Sequence, residues 1–153
     1  MTKRFLLVAV AALSILAGAS VAQGASKPTK HKVTITAKAR VLTSSATGAV
    51  YSGQLTGTYG AGAAIIKVTA GKTQGTFNLA GTAFYKNGSI TGTGSNTATP
   101  RADGSGTDYA GSLKITKGTG IFKGATGTMK LTGSSQAADP TYGVFKLMGT
   151  LTY

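Results

Sequence analysis

From Lys32 onward, apolar and polar residues alternate with a period of two, and glycines interrupt the alternation at short intervals. Alternation of this kind predicts β-strands that bury one face. No apolar stripe with helical spacing occurs in this part of the sequence. We therefore expect an all-β protein whose strands are joined by short turns.

Eight segments carry this alternation and are predicted as strands: 32–42, 51–59, 62–70, 74–85, 89–99, 108–117, 126–133 and 144–153. Asn87-Gly88 predicts a two-residue hairpin turn, because both residues tolerate positive φ. A second turn is predicted over 137–143. An open sheet of eight strands would leave two exposed edges, which closure removes. We predict a single eight-stranded antiparallel β-barrel over residues 32–153, with a lumen that holds side chains or one small ligand.

Four closely spaced glycines, Gly118, Gly120, Gly124 and Gly127, separate two of the predicted strands. Glycine permits backbone conformations that other residues avoid. We expect Gly118 and Gly120 to let the chain leave one strand and Phe122 to pack inward. Gly124 and Gly127 would then let the next strand begin with a sharp bend.

This segment also resembles a family pattern. Residues 115–127 read Ile-Thr-Lys-Gly-Thr-Gly-Ile-Phe-Lys-Gly-Ala-Thr-Gly. They resemble the strand end Ile-Thr-Gly-Gly-[Ser/Thr]-Gly-x-[Phe/Tyr]-x-Gly-Ala-x-Gly of the allene oxide cyclase and dirigent-protein barrel superfamily. Residues 51–55, Tyr-Ser-Gly-Gln-Leu, are similar to a second strand of the plant cyclases. When residues 51–153 are aligned with the family pattern, the resemblance implies an eight-stranded antiparallel barrel. The plant members of the family form trimers, so the resemblance also implies a homotrimer.

The chemistry of that family is not matched by this sequence. The cyclases place a glutamate and asparagines around a reactive epoxide, with a cysteine near the substrate. This chain has no glutamate and no cysteine, and Ala63 or Ala64 stands at the approximate position of the cysteine. Dirigent proteins use acidic residues at the barrel mouth, for which only Asp103, Asp108 and Asp139 are present. We predict a non-catalytic protein and keep a cyclase-like or dirigent-like steering activity as the alternative.

The N-terminal residues predict a secretory signal peptide. Lys3 and Arg4 precede an apolar run over 5–16, and residues 20–22 offer the small side chains that signal peptidase reads. A membrane-spanning helix needs about 20 apolar residues, which this run does not reach. We expect residues 1–22 to be removed, with cleavage between 19 and 25. A flexible lead-in over 23–31 would follow, in a protein that is secreted or held in the cell envelope.

Charge suggests one class of partner. Without Lys3 and Arg4 the chain has 14 basic residues against three acidic ones, a net charge of +11. Such a surface attracts an anionic cell-envelope polymer. Nucleic acid is not expected, because no aromatic platform is interleaved with the basic residues. One histidine and three scattered aspartates do not predict a metal site, and no cofactor is expected.

Two roles follow from these observations: binding of a small apolar ligand in the lumen, or action as a cationic module at the cell envelope. The candidate lumen residues, for which ordinary core packing is the favoured interpretation, are Leu55, Phe77, Leu79, Leu113, Ile115 and Phe122. A small outer-membrane β-barrel is a further alternative, suggested by the aromatic end of 149–153. Lysine and threonine on the alternate face argue against it.

Overall fold

The structure, a computed structural model, describes residues 27–153, which form a closed barrel of eight antiparallel strands and confirm the predicted fold class. The strands are β1 (Lys30–Ser45), β2 (Gly48–Gly57), β3 (Gly62–Ala70), β4 (Thr76–Tyr85), β5 (Gly88–Pro100), β6 (Gly106–Gly118), β7 (Thr126–Gln136) and β8 (Asp139–Thr152). A single 3-10 turn, Gly120–Phe122, lies between β6 and β7. Across residues 27–153 no helix is long and apolar enough to cross a membrane. The predicted signal peptide lies outside the described residues.

Each strand pairs with the next, and β8 pairs with β1 to close the ring. When cross-strand partners are followed around the barrel from Val41 on β1 through β2 to β8, the path returns to β1 at His31, which lies ten residues before Val41. A stagger of this size tilts the strands by about 40° from the barrel axis. Because the side-chain period is two, every second residue of each strand points into the lumen.

Several strand boundaries predicted from the sequence were wrong, including those of the lead-in and of the last turn. The predicted lead-in included His31, but β1 begins at Lys30, and His31 pairs with Leu151 while its ring stacks on Tyr153 at 4.5 Å between centroids. The turn predicted over 137–143 is also shorter, because Gln136 pairs with Asp139 and β8 starts there. Proline is tolerated near the start of a strand, so the Asp-Pro pair does not prevent pairing.

The hairpin predicted at Asn87-Gly88 forms, but one residue earlier than expected. Tyr85 pairs with Gly88, so Lys86 and Asn87 occupy the turn, and no non-glycine residue in the described chain has a positive φ. Gly88 itself has a φ of +151°, and a Cβ there would overlap the carbonyl oxygen of Thr119. Packing against the four-glycine segment, rather than the turn conformation, therefore requires this glycine.

One end of the barrel, which we call the closed end, contains the β2–β3, β4–β5 and β6–β7 connections. Phe122 fills it and has no exposed surface. Its ring lies 4.7 Å from that of Tyr59, 5.4 Å from Tyr153 and 5.8 Å from Tyr85, between centroids. The buried apolar residues around it form the core: Val33, Ile35, Ala37, Leu55, Ala64, Ile90, Ile115, Ala125, Met129 and Leu151.

The four-glycine segment shapes this closed end. Gly120 and Gly124 have φ values of +60° and +77°, which glycine adopts without strain. A Cβ on Gly118 would overlap the carbonyl oxygen of Phe122. The chain can therefore leave β6, place Phe122 in the lumen and enter β7 only with residues that lack a side chain at these positions.

Candidate functional site: a cavity in the barrel lumen

The opposite, open end of the barrel contains a cavity of about 190 Å³. It lies between the packed core and the β1–β2, β3–β4, β5–β6 and β7–β8 turns. Apolar side chains from several strands dominate its lining, among them Phe77, Leu79, Leu113, Ile115, Leu131 and Phe145. Phe77, Leu113 and Phe145 point inward by strand alternation and are only partly buried. The lumen thus has a filled half and an unfilled half.

The candidate residues named from the sequence divide between these halves. Phe77, Leu79 and Leu113 line the cavity, and Ile115 lies at the boundary, because it both borders the cavity and belongs to the core. Leu55 and Phe122 do not line it and belong to the core at the closed end. Leu55 lies there because it pairs with Gly62, the first residue of β3, which begins at the closed end.

Polar residues that sequence reasoning missed also line the cavity. Asn96 is only 8% exposed, and its Oδ1 atom is buried without a hydrogen-bond partner. It comes from β5, a strand of mostly Thr, Gly and Ser, and lies opposite Phe77. The inward alternation from Ile90 through Gly92 to Asn96 was a usable signal, because it places Asn96 on the same face as a buried isoleucine.

Tyr51, Thr82, Tyr109, Ser135 and Tyr142 also contribute hydroxyl groups to the lining. The hydroxyl groups of Tyr109 and Ser135 are hydrogen-bonded at 3.2 Å. Burial raises the pKa of Tyr51, and the neighbouring Tyr109 raises it further. The polar groups of the cavity are therefore an amide and hydroxyls, which both donate and accept hydrogen bonds.

The three aspartates lie outside the cavity lining. Asp108 forms an ion pair with Arg101 at 2.6 Å, and Asp139 forms one with Arg40 at 3.1 Å. The hydrogen bond from Arg101 lowers the pKa of Asp108, and that from Thr141 lowers the pKa of Asp139. Asp103 accepts a hydrogen bond from the backbone of Ser105 in the β5–β6 turn. Within residues 27–153, no group of three His, Cys, Asp or Glu side chains could hold a metal ion.

No protein-family model, no curated protein and no solved structure matches this chain.

Proposed function

We propose that this chain is an exported, non-catalytic β-barrel that binds one small, largely apolar molecule in the open half of its lumen. The observation that carries the proposal is the 190 Å³ cavity beside a fully packed core. The signal-peptide pattern supports export, and the four-glycine segment supports a relationship to the allene oxide cyclase and dirigent barrels.

The open half of the lumen leaves apolar side chains uncovered that a filled interior would bury. Removal of apolar surface from water is favourable, so a ligand that covers these side chains stabilises the barrel. Larger side chains in place of the cavity-lining glycines Gly81 and Gly92 are not a simple remedy, because a Cβ on either would crowd neighbouring backbone oxygens. A bound ligand supplies the missing contacts.

The cavity also limits the size and chemistry of the ligand. Apolar cavities of about 150 Å³ accept benzene, so one of 190 Å³ suits a molecule with one or two rings or a comparable aliphatic body. Asn96 borders the cavity, and a ligand with one hydroxyl or amine could form a hydrogen bond with its side-chain amide. The neutral amide and hydroxyl groups of the lining suit recognition better than acid–base catalysis.

Calorimetric titration with 2-naphthol and with naphthalene tests this function. We expect both to bind, 2-naphthol more tightly. Leu113→Trp, which adds volume inside the cavity, should abolish binding of both, whereas Val144→Trp on the exposed outer face should not. Equal binding by the wild type and the Leu113→Trp variant would refute a lumen site.

Asn96→Leu separates the two parts of the proposal. This variant should still bind naphthalene but should no longer bind 2-naphthol more tightly than naphthalene.

Native mass spectrometry of the exported protein should show a processed chain carrying a ligand, and it reports whether the chain forms the trimer that the family relationship implies. A chain that retains residues 1–22 would contradict the proposed export.

A further inference from the structure

Four lysines form a continuous line across the outer surface of the barrel. They are Lys38 on β1, Lys146 on β8, Lys130 on β7 and Lys114 on β6, and all four are exposed. We call them the lysine row.

The strand register fixes the geometry of the row. Lys146 pairs with Thr36, two residues from Lys38, and the same offset separates Lys146 from Lys130 and Lys130 from Lys114. Each lysine is thus the diagonal neighbour of the next, about 7–8 Å away across the sheet. The row is about 22 Å long at the level of the backbone.

The row runs around the barrel rather than along it. Because the stagger is ten residues over eight strands, a ring drawn perpendicular to the barrel axis moves by about 1.25 residues along the chain from one strand to the next. The row shifts by two residues per strand in the same direction, so it lies close to the circumference. Its four strands cover about 135° of the barrel. Lys38 and Lys114 therefore point in widely different directions.

The surroundings of the row leave its charge uncompensated. The two ion pairs in the described part of the chain use Arg40 with Asp139 and Arg101 with Asp108, at or near the open end. The outward residues beside the lysines include the hydroxyl-bearing Thr34, Thr36, Ser112, Thr116, Thr128 and Thr132, the apolar Val144 and Met148, and Arg40, which is ion-paired with Asp139. This part of the surface combines positive charge with hydroxyl groups that can donate hydrogen bonds to anionic oxygens.

We propose that the lysine row binds a flexible, linear polymer with phosphodiester-type charges that wraps around the β1–β8–β7–β6 face. Lysine acts as a point charge toward phosphate, and evenly spaced lysines suit a polymer with evenly spaced charges. A flat membrane surface cannot contact lysines spread over this arc at the same time. Nucleic-acid strands usually stack on aromatic side chains, and the residues between the lysines offer none. This surface lies outside the lumen, so the proposal is independent of ligand binding there.

Long-chain inorganic polyphosphate serves as the probe. The row variant carries Lys38→Gln, Lys114→Gln, Lys130→Gln and Lys146→Gln. The matched control variant loses the same charge at exposed positions outside the row through Lys30→Gln, Lys72→Gln, Lys86→Gln and Lys123→Gln. Far-UV circular dichroism verifies that both variants remain folded.

Four phosphate contacts predict a slope of about −3 for log K against log salt, or roughly 50-fold weaker binding at 200 mM than at 50 mM salt. We expect the row variant to bind polyphosphate at least ten-fold more weakly than the wild type at 50 mM salt. Its slope of log K against log salt should be much closer to zero than that of the wild type. The control variant should bind within three-fold of the wild type.

Four results would overturn the proposal. One is an equal loss of affinity in both variants, which indicates general charge attraction. Another is equally tight binding of inorganic triphosphate, which excludes a requirement for a long chain. A third is binding to vesicles of anionic lipid that depends on the lysine row and is as tight as binding to polyphosphate. The fourth is tighter binding to single-stranded DNA than to polyphosphate of equal charge.

Discussion

Replacing Phe122 by alanine should remove a large share of the stability of this barrel. Phe122 is the largest side chain of the core and has no exposed surface. It contacts three tyrosine rings, and the backbone around it is held by the four-glycine segment. Neighbouring groups have little freedom to close the space that alanine would leave.

The size of the loss follows from this packing. Truncation of a buried phenylalanine to alanine costs about 3–5 kcal/mol. Each well-oriented aromatic pair adds about 0.5–1.5 kcal/mol beyond area burial. The measured range for phenylalanine already includes such contacts, so the loss of three pairs places Phe122 at its upper end, about 4–5 kcal/mol. Domains of this size are stable by about 5–15 kcal/mol, so the variant should be marginally folded or unfolded.

Urea unfolding followed by far-UV circular dichroism measures this difference. Ile121, the preceding residue, is 54% exposed and provides the control. Ile121→Ala should change the free energy of unfolding by less than about 0.5 kcal/mol, as exposed substitutions usually do. If Phe122→Ala lost less than about 1.5 kcal/mol, or no more than Ile121→Ala, Phe122 would not be the residue that closes the barrel.

Three further predictions concern backbone and pH. Gly120→Ala should destabilise the protein far more than Gly104→Ala in urea unfolding, because both glycines have positive φ but only at Gly120 would a Cβ overlap neighbouring backbone; equal losses would contradict the steric argument. Burial raises the pKa of Tyr85 to about 12, whereas the pKa of tyrosine in the unfolded chain is near 10. The stability that the neutral Tyr85 hydroxyl contributes is therefore complete below about pH 10 and is lost as pH rises toward 12. Tyr85→Phe should reduce the loss of stability in this range. The pKa of Asp108 is lowered chiefly by the hydrogen bond from Arg101. The stability that the ionised Asp108 carboxylate contributes is therefore present above about pH 4 and is lost as pH falls through the pKa of Asp108 in the folded protein. Arg101→Gln should reduce this loss of stability at acid pH.

The fold was predictable because its main determinants are local. Alternation of period two located all eight strands, and eight strands with short connections favour closure. At the N-terminal boundary, where prediction was wrong, the deciding contact was distant in sequence. His31 joins β1 because it pairs with Leu151 and stacks on Tyr153, which no local pattern around His31 reveals.

The cavity was harder to predict than the barrel. Inward-facing positions could be identified by alternation, but alternation does not say which of them are packed. Leu55 and Leu113 both point inward, yet Leu55 lies among core residues and Leu113 borders the cavity. The distinction depends on the position of each residue along the barrel axis, which follows from register and stagger.

The lysine row shows the same dependence. Its members are separated by up to about 108 residues in sequence, between Lys38 and Lys146, and composition alone presents them as scattered positive charge. Only the pairing of β1, β8, β7 and β6 aligns them. A charge pattern on a barrel surface can therefore be recognised once the register is known.

The division of the lumen into a filled and an unfilled half has a consequence for protein engineering. Since the side chains around Phe122 hold the fold together at one end, those at the other end are free to be randomised. Libraries varied at Phe77, Leu113 and Tyr109 should yield many soluble members with altered selectivity, whereas libraries varied at Leu55 and Phe122 should yield few. The same scaffold would then serve for cavities of different shape without redesign of its strands.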